Sequence, residues 1–194
     1  MTILIILLSN PVMASQSGGI EYEDVYTDYS LLNAAQIRNE ADALFAKENY
    51  DAAAPKYYLL TKIDNSPVFP LTQLARIYDI KNKDRLAKEY FYRATNIDTN
   101  EPYANFYFGE FYFRRDDFKR ALRYYKIAYG HGFSNRYDIN LRMGTIYEKL
   151  ADLVNAQKYY SIAAKTNPQL QEKVNSINAL NYDQSEYYHV ENRR

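Results

Sequence analysis

Several kinds of functional site need residues that this chain of 194 residues lacks or has in short supply. It has no cysteine, which excludes a disulfide framework, an iron–sulfur cluster, a zinc finger and a thiol nucleophile. It has no tryptophan, two histidines and six glycines, so there is little material for a metal site or a glycine-rich phosphate loop. Its 24 basic and 24 acidic side chains balance to a formal charge of zero, which removes the positive excess that non-specific nucleic-acid binding needs.

What the chain has in excess is aromatic residues, with 22 tyrosines and 9 phenylalanines. Its length suits one domain or a short repeat array with a real core, and a charged content of 25% is ordinary for a globular protein. Catalysis has little support, because neither His131, in a glycine-flanked turn, nor His189, near the C-terminus, has an arranged partner in the sequence. We therefore expect no catalytic residue, metal ligand, cofactor or small-molecule substrate.

The N-terminus contains the one long aliphatic run, at residues 3–8, which is too short for a membrane span of about 20 residues. This run resembles the apolar part of a secretory signal, and small residues before Ser15 suit cleavage there. Residues 1–14 are therefore a candidate signal peptide, which predicts a periplasmic or secreted protein. No lysine or arginine precedes the run, so a true start at Met13, with a cytoplasmic protein, is the alternative. Residues 15–33, rich in glycine and serine and then acidic, are predicted to form a linker.

Three tracks of residues recur along the chain with one shared interval. Small residues stand 34, 34 and 35 positions apart at Ala41, Ala75, Gly109 and Gly144. The same intervals separate Ala53, Ala87, Ala121 and Ala156, and they separate the aromatic residues Tyr57, Phe91, Tyr125 and Tyr160. Apolar residues within each interval recur in steps of three and four, twice over, which predicts two amphipathic helices per repeat. At the start of the second helices, Asp51 and Asp84 are predicted N-caps.

This 34-residue pattern of small, aromatic, alanine and proline positions resembles the tetratricopeptide repeat. The third copy carries the resemblance most clearly, with Gly109, Tyr112, Ala121, Tyr125 and Ala128. The position that is typically tryptophan holds asparagine in the third and fourth copies, at Asn105 and Asn140, so that corner should be anchored differently there. The resemblance implies an all-α fold, a right-handed α-solenoid of helix–turn–helix repeats.

The repeat interval and the local composition predict the organisation of the remaining chain. Four tetratricopeptide-like repeats are expected over residues 34–168, at 34–67, 68–101, 102–136 and 137–168. A capping helix is expected at residues 169–181, followed by a flexible tail at 182–194.

In this fold, as the resemblance implies, the first helix of each repeat lines a concave groove that takes a protein or peptide partner. Eight groove-facing side chains are the candidate binding residues: Arg38, Phe69, Arg76, Tyr103, Phe106, Glu110, Phe113 and Arg142. Repeat three has more aromatic residues than one core stripe can bury, so Tyr103, Phe106 and Phe113 are predicted to be exposed anchors. The alternative is extra core packing, or burial beneath the N-terminal segment.

The leading hypothesis is a non-catalytic scaffold that binds a partner segment in the groove, with no nucleic acid and no membrane span. The cations that grip chaperone C-termini in some relatives are absent here, since Asp42, Tyr103 and Tyr107 stand at matching places. An apolar or mixed-charge ligand is expected instead. The alternative is a structural subunit of an envelope, secretion or pilus-type assembly, which would use its convex face or its ends.

Overall fold

The computed structural model describes residues 33–180. The candidate signal peptide, the tail at 182–194 and all but the last residue of the predicted linker lie outside these residues. Eight α-helices lie between residues 34 and 164: α1 (Ala34–Ala46), α2 (Tyr50–Ile63), α3 (Val68–Ile80), α4 (Asp84–Ile97), α5 (Pro102–Phe113), α6 (Phe118–Ala128), α7 (Tyr137–Lys149) and α8 (Leu153–Ala164). A further helix, α9, occupies residues 171–180, and no residue from 33 to 180 lies in a strand. The all-helical fold predicted from the periodicity is confirmed for this part of the chain.

The chain divides into two compact units, an N-terminal unit up to Thr99 and a C-terminal unit from Asn100. In the N-terminal unit, α1 packs on α2, α2 on α3, and α3 on α4. In the C-terminal unit, α5 packs on α6, α6 on α7, and α7 on α8. Each unit therefore contains two helical hairpins, because one hairpin alone leaves an apolar stripe that a neighbouring hairpin must cover.

A left-handed residue joins the two helices of each hairpin. These residues have φ between 54° and 58° and are Glu48, Asn82, Asp116 and Ala151. The residue after each of them is the N-cap of the second helix. The side chain of Asn49 accepts a hydrogen bond from the Ala52 amide at 3.3 Å, and Asp117 accepts one from the Arg120 amide at 3.1 Å.

The predicted N-caps at Asp51 and Asp84 are wrong. Asp51 lies in the first turn of α2 and forms an ion pair with Lys81. Asp84 is the first residue of α4, and the N-cap is Lys83, whose side chain makes no capping bond. The left-handed residue fixes where each second helix begins, so the nearest carboxylate in the sequence is not necessarily the cap.

The small and large repeat positions interlock where the two helices of a hairpin cross. Gly109 on α5 lies so close to the Tyr125 ring on α6 that a Cβ atom on the glycine would stand 2.6 Å from Tyr125 Cε1. Gly144 and Tyr160 repeat this arrangement, with a corresponding separation of 2.8 Å. Tyr125 is fully buried in this contact. The absence of a side chain on the first helix is therefore what makes room for the ring on the second.

Tyrosine pairs account for part of the aromatic excess. Three of them stack across a hairpin, twelve residues apart in sequence: Tyr78 on Tyr90, Tyr112 on Tyr124, and Tyr147 on Tyr159. Their ring centroids lie 5.3 Å, 5.7 Å and 5.5 Å apart, with interplanar angles of 14°, 3° and 1°. Aromatic pairs add about 0.5–1.5 kcal/mol beyond the area they bury, so these pairs reinforce each hairpin.

The asparagines at the tryptophan position close the first turn of their helices. Asn105 donates from Nδ2 to the carbonyl of Glu101 at 2.7 Å, and Asn140 donates to the carbonyls of Arg136 and Ser134 at 2.6 Å and 2.7 Å. Both asparagines are buried. Repeats three and four thus anchor this corner by buried hydrogen bonds rather than by a large apolar side chain.

Candidate functional site

The N-terminal unit carries a cluster of charged and aromatic side chains on α1 and α3. This α1/α3 cluster consists of Arg38, Asp42 and Phe45 on α1, and Phe69, Gln73 and Arg76 on α3. Within each helix the three residues follow one another in steps of four and three, which places them on one face. The contacts below show that three predicted site residues, Arg38, Phe69 and Arg76, belong to this one cluster.

Each arginine of the α1/α3 cluster lies over a phenylalanine of the other helix. The Arg38 guanidinium carbon is 3.9 Å from the centroid of the Phe69 ring, and that of Arg76 is 4.6 Å from the centroid of Phe45. Such contacts are worth about 0.5–1 kcal/mol at exposed sites. The side chain of Arg38 nevertheless remains 52% exposed, so its charge stays accessible to a ligand.

Hydrogen bonds beneath these rings connect the polar members of the cluster. The Tyr57 hydroxyl on α2 donates to Asp42 Oδ1 at 2.6 Å, and Gln73 donates from Nε2 to the Tyr57 hydroxyl at 3.3 Å. Arg76 donates from Nη1 to Gln73 Oε1 at 2.6 Å, and Arg38 Nε lies 3.8 Å from Asp42 Oδ2. Because Tyr57 is fully buried, this network orients the surface groups from below.

The C-terminal unit has a corresponding α5/α7 cluster, formed by Glu110 and Phe113 on α5 and Arg142 on α7. Arg142 donates from Nε to Glu110 Oε1 at 2.8 Å and from Nη2 to Oε2 at 3.2 Å, which is a two-bond fork. Its guanidinium carbon lies 4.6 Å from the centroid of the Phe113 ring. From below, the buried Tyr125 hydroxyl donates to Glu110 Oε1 at 2.5 Å. Glu110, Phe113 and Arg142, all predicted site residues, thus form one contact set.

The electrostatics of the α5/α7 cluster keep Tyr125 protonated and Arg142 charged. Burial raises the pKa of Tyr125 far above its ordinary value, and the negative charge of Glu110 adds to this, so the phenol remains a donor. The hydrogen bond from Arg142 to Glu110 raises the pKa of the guanidinium above its usual value. The Glu110 side chain is 11% exposed and that of Arg142 is 37% exposed. A ligand would therefore meet the arginine first.

Tyr57 and Tyr125 are absent from the predicted site, although the sequence contains a signal for them. Fifteen residues before each tyrosine stands a carboxylate, Asp42 or Glu110, which can accept its hydrogen bond. The equivalent residue in repeat two is Arg76, which cannot accept one, and the aromatic residue fifteen positions later is phenylalanine. The hydroxyl is present where the first helix supplies an acceptor.

The prediction that Phe106 is an exposed anchor is wrong. Phe106 is only 4% exposed, and its ring centroid lies 5.8 Å from that of Tyr125 and 5.9 Å from that of Phe133. Arg136 covers it from outside, with its guanidinium carbon 5.0 Å from the Phe106 centroid. The wide turn at Tyr129–Phe133, where the repeat interval is one residue longer, brings Phe133 onto α5. The helical pattern did not reveal this contact, because Phe133 lies in a turn.

The other predicted aromatic anchors keep part of their rings accessible. Phe69, Tyr103 and Phe113 are half-buried. Tyr103 packs edge to face on Tyr107, with 4.7 Å between ring centroids. These three residues remain suitable for packing against an apolar side chain of a ligand.

The chemistry that these clusters offer is hydrogen bonding, charge and aromatic contact. Across residues 33–180, no group of three or more histidine, aspartate or glutamate side chains could hold a metal ion. None of the helices described in that range is both long enough and apolar enough to cross a membrane.

The deciding observation for the fold is the series of four helix pairs, with a glycine facing a large aromatic ring in the third and fourth pairs. This part of the chain has the tetratricopeptide repeat fold. Solved structures agree: MamA of Desulfovibrio magneticus superposes with a TM-score of 0.63 at 14% identity, over 80% of this chain and 89% of that chain. No protein-family model matches the sequence, and no curated protein matches it either.

Two further tetratricopeptide structures show the same fold. PilF of Pseudomonas aeruginosa superposes with a TM-score of 0.62 at 18% identity over 72% of this chain. The match spans 65% of the PilF chain. YrrB, which is described as a TPR protein with an unusual peptide-binding site, superposes with a TM-score of 0.57 at 17% identity over 74% of each chain.

Proposed function

We propose that this protein is a non-catalytic interaction scaffold that binds a segment of a partner protein along its first helices. The observation that carries the proposal is the α1/α3 cluster. Two guanidinium groups are held over phenylalanine rings there, and Arg38 keeps about half of its side chain exposed. Because the groups are already oriented, a ligand would lose little free energy in ordering them.

The chemistry of each cluster, taken by itself, favours partner residues of both kinds, apolar and charged. Half-buried rings at Phe69, Tyr103 and Phe113 would receive apolar side chains, and Arg38 and Arg142 would bind carboxylates or backbone carbonyls. Aromatic and arginine residues are the types most enriched among those that dominate binding energy at interfaces. Mixed charge on such a surface contributes to specificity more than to affinity. The peptide-binding site described for YrrB supports this kind of use of the fold.

We also propose that the protein is exported, on the basis of the apolar run at residues 3–8 and the small residues before Ser15. Intact-mass measurement of protein from its native host should then give a mature chain that begins at Ser15. A chain that begins at Met1 or Met13 would contradict export by this route.

Partner capture tests the scaffold proposal. A pull-down from native extract with mass spectrometry identifies the partner, and calorimetry then measures its affinity for Phe69→Ala and Phe113→Ala. Each variant should weaken binding by about thirtyfold, the effect of losing about 2 kcal/mol at an aromatic anchor. Tyr92→Ala is the matched control, because Tyr92 is an aromatic residue, 40% exposed, on the second helix α4. Loss of binding in the control, with both first-helix variants unaffected, would contradict the proposal.

A further inference from the structure

One face of α6 carries four cations and no acidic residue. This basic stripe consists of Lys119, Arg120, Arg123 and Lys126, all of them exposed. Their spacing of one, three and three residues places them along one side of the helix. Residues 118–128 contain no aspartate or glutamate, so nothing on α6 itself neutralises them.

The repeat does not require this charge. The formal charges at the four stripe positions sum to +4 in α6, 0 in α4, +1 in α8 and −1 in α2. The corresponding residues are Arg85, Leu86, Glu89 and Tyr92 in α4; Val154, Asn155, Lys158 and Ser161 in α8; and Asp51, Ala52, Pro55 and Tyr58 in α2. Like charges three or four residues apart destabilise a helix slightly. The stripe is therefore a particular property of α6, and one that comes at a cost to the helix.

Neighbouring residues orient the stripe but neutralise little of it. Arg120 pairs with Asp117, whose Oδ2 lies 2.6 Å from Nε. Within residues 33–180, no carboxylate forms an ion pair with Lys119, Arg123 or Lys126. The Arg120 guanidinium lies 4.8 Å from the Tyr112 ring centroid, and Lys126 Nζ lies 5.8 Å from that of Tyr147. Several cations are thus presented in defined positions without a partner carboxylate.

The complementary negative charge lies near the N-terminus of the same sequence. Residues 1–37 contain four acidic residues and no lysine, arginine or histidine, so the rest of the chain has all 24 basic residues against 20 acidic ones. The four carboxylates, Glu21, Glu23, Asp24 and Asp28, fall within eight residues. A stretch of eight residues spans at most about 26 Å and the stripe is about 10 Å long, so the length of the acidic stretch sets no obstacle to contact with all four cations.

We propose that the basic stripe of α6 binds the acidic segment at residues 21–28 of a second copy of this chain. The contact joins different surfaces of the two copies and does not use the α1/α3 or α5/α7 cluster. Tyr22 and Tyr26 stand among these carboxylates in the sequence, and aromatic rings are a second kind of group that arginine binds. An anionic membrane is a poorer occupant, because the apolar face of α6, including Ala121 and Tyr125, is buried against the hairpin and cannot insert into lipid.

Sedimentation velocity of the full chain tests the proposal. The wild type should self-associate at low salt, and its dissociation constant should rise by about tenfold or more at high salt, since screening weakens exposed ion pairs. Lys119→Glu with Arg123→Glu should give a monomer, because the four stripe positions then sum to zero charge and no longer attract the acidic segment. Glu23→Lys with Asp24→Lys should also give a monomer, for the same reason with the signs exchanged.

The decisive sample is an equimolar mixture of these two double variants. The stripe variant keeps the original acidic segment and the segment variant keeps the original stripe, so the mixture should associate although each variant alone does not. Lys158→Glu with Lys165→Glu is the matched control, because both lysines are exposed and the net charge changes equally. This control should associate like the wild type.

Three results would overturn the proposal. They are a wild type that stays monomeric at low salt, a stripe variant that associates normally, and a mixture that remains monomeric. Vesicles containing phosphatidylserine are tested in parallel. If the stripe variant loses vesicle binding and keeps its self-association unchanged, the occupant is a membrane and the proposal is wrong.

Discussion

Adding a single methyl group at Gly109 should destabilise the C-terminal unit. In Gly109→Ala the new Cβ would lie 2.6 Å from Tyr125 Cε1 and 2.7 Å from Cδ1, whereas carbon atoms in contact normally stand about 3.5–4.0 Å apart. Tyr125 cannot move away easily, because it is fully buried and its hydroxyl is bonded to Glu110. The strain therefore falls on the helix crossing itself.

Opposing effects set the size of the change. Overpacking costs about 1–3 kcal/mol, and displacing Tyr125 weakens a hydrogen bond to a charged group that is worth about 1.5–3 kcal/mol. The better helix propensity of alanine opposes these effects and raises the free energy of unfolding by about 1 kcal/mol. The free energy of unfolding should fall by about 2 kcal/mol, which corresponds to a melting temperature lower by about 4–8 °C for a chain of this size.

Urea unfolding followed by helical circular dichroism measures this change. Gly130→Ala is the matched control, since no atom lies within 4 Å of a Cβ placed there. The control should change the free energy of unfolding by no more than about 0.5 kcal/mol. Should Gly109→Ala unfold at the same urea concentration as the wild type, Gly109 would not be the close-contact point and the interlocking of small and large residues would be refuted.

Three further outcomes follow from the buried groups. Phe106→Ala should lower the free energy of unfolding by about 3 kcal/mol because its ring is core, and a melting temperature equal to that of wild type would contradict this. Burial raises the pKa of Tyr90 and of Tyr160 to about 12, so both stay protonated in the folded chain after unfolded tyrosines ionise near pH 10. The free energy of unfolding should therefore be intact below about pH 10 and fall between about pH 10 and 12. Phenolate absorbance and urea midpoints measure this, and a free energy of unfolding that stays constant to about pH 12 would contradict it. Arg142→Met should lower the free energy of unfolding by about 1–2 kcal/mol, because Glu110 then has one partner fewer. In a double-mutant cycle the same change should cost less when Glu110→Gln is also present, and equal costs in both backgrounds would refute the coupling.

The fold could be predicted from the sequence because its determinants recur. A glycine or alanine sixteen residues before an aromatic residue appears in every repeat, and helical periodicity in both flanks leaves few alternatives. The starts of the second helices were harder to place, as Asp51 and Asp84 show. Their position depends on a left-handed residue, which at Glu48 or Ala151 has no glycine to reveal it.

The candidate site could be predicted only in part, because periodicity identifies the face of a helix and not what covers it. Arg38 and Phe69 do lie together, as residues on matching faces of adjacent first helices can. Phe106 lies on a predicted groove face but is covered by Phe133 and Arg136 from an irregular turn. Such turns follow no repeat, so their contacts need the three-dimensional structure.

Site-specific photo-cross-linking in the native host tests the central claim, that a partner segment binds along the first helices. A photoreactive amino acid would replace Phe69 or Phe113 on first helices, and Tyr92 or Val154 on second helices, where the native side chains are 40% and 70% exposed. The account predicts that one partner protein cross-links to the first-helix positions and not to the other two. Cross-linking of that partner only from Tyr92 or Val154 would contradict it.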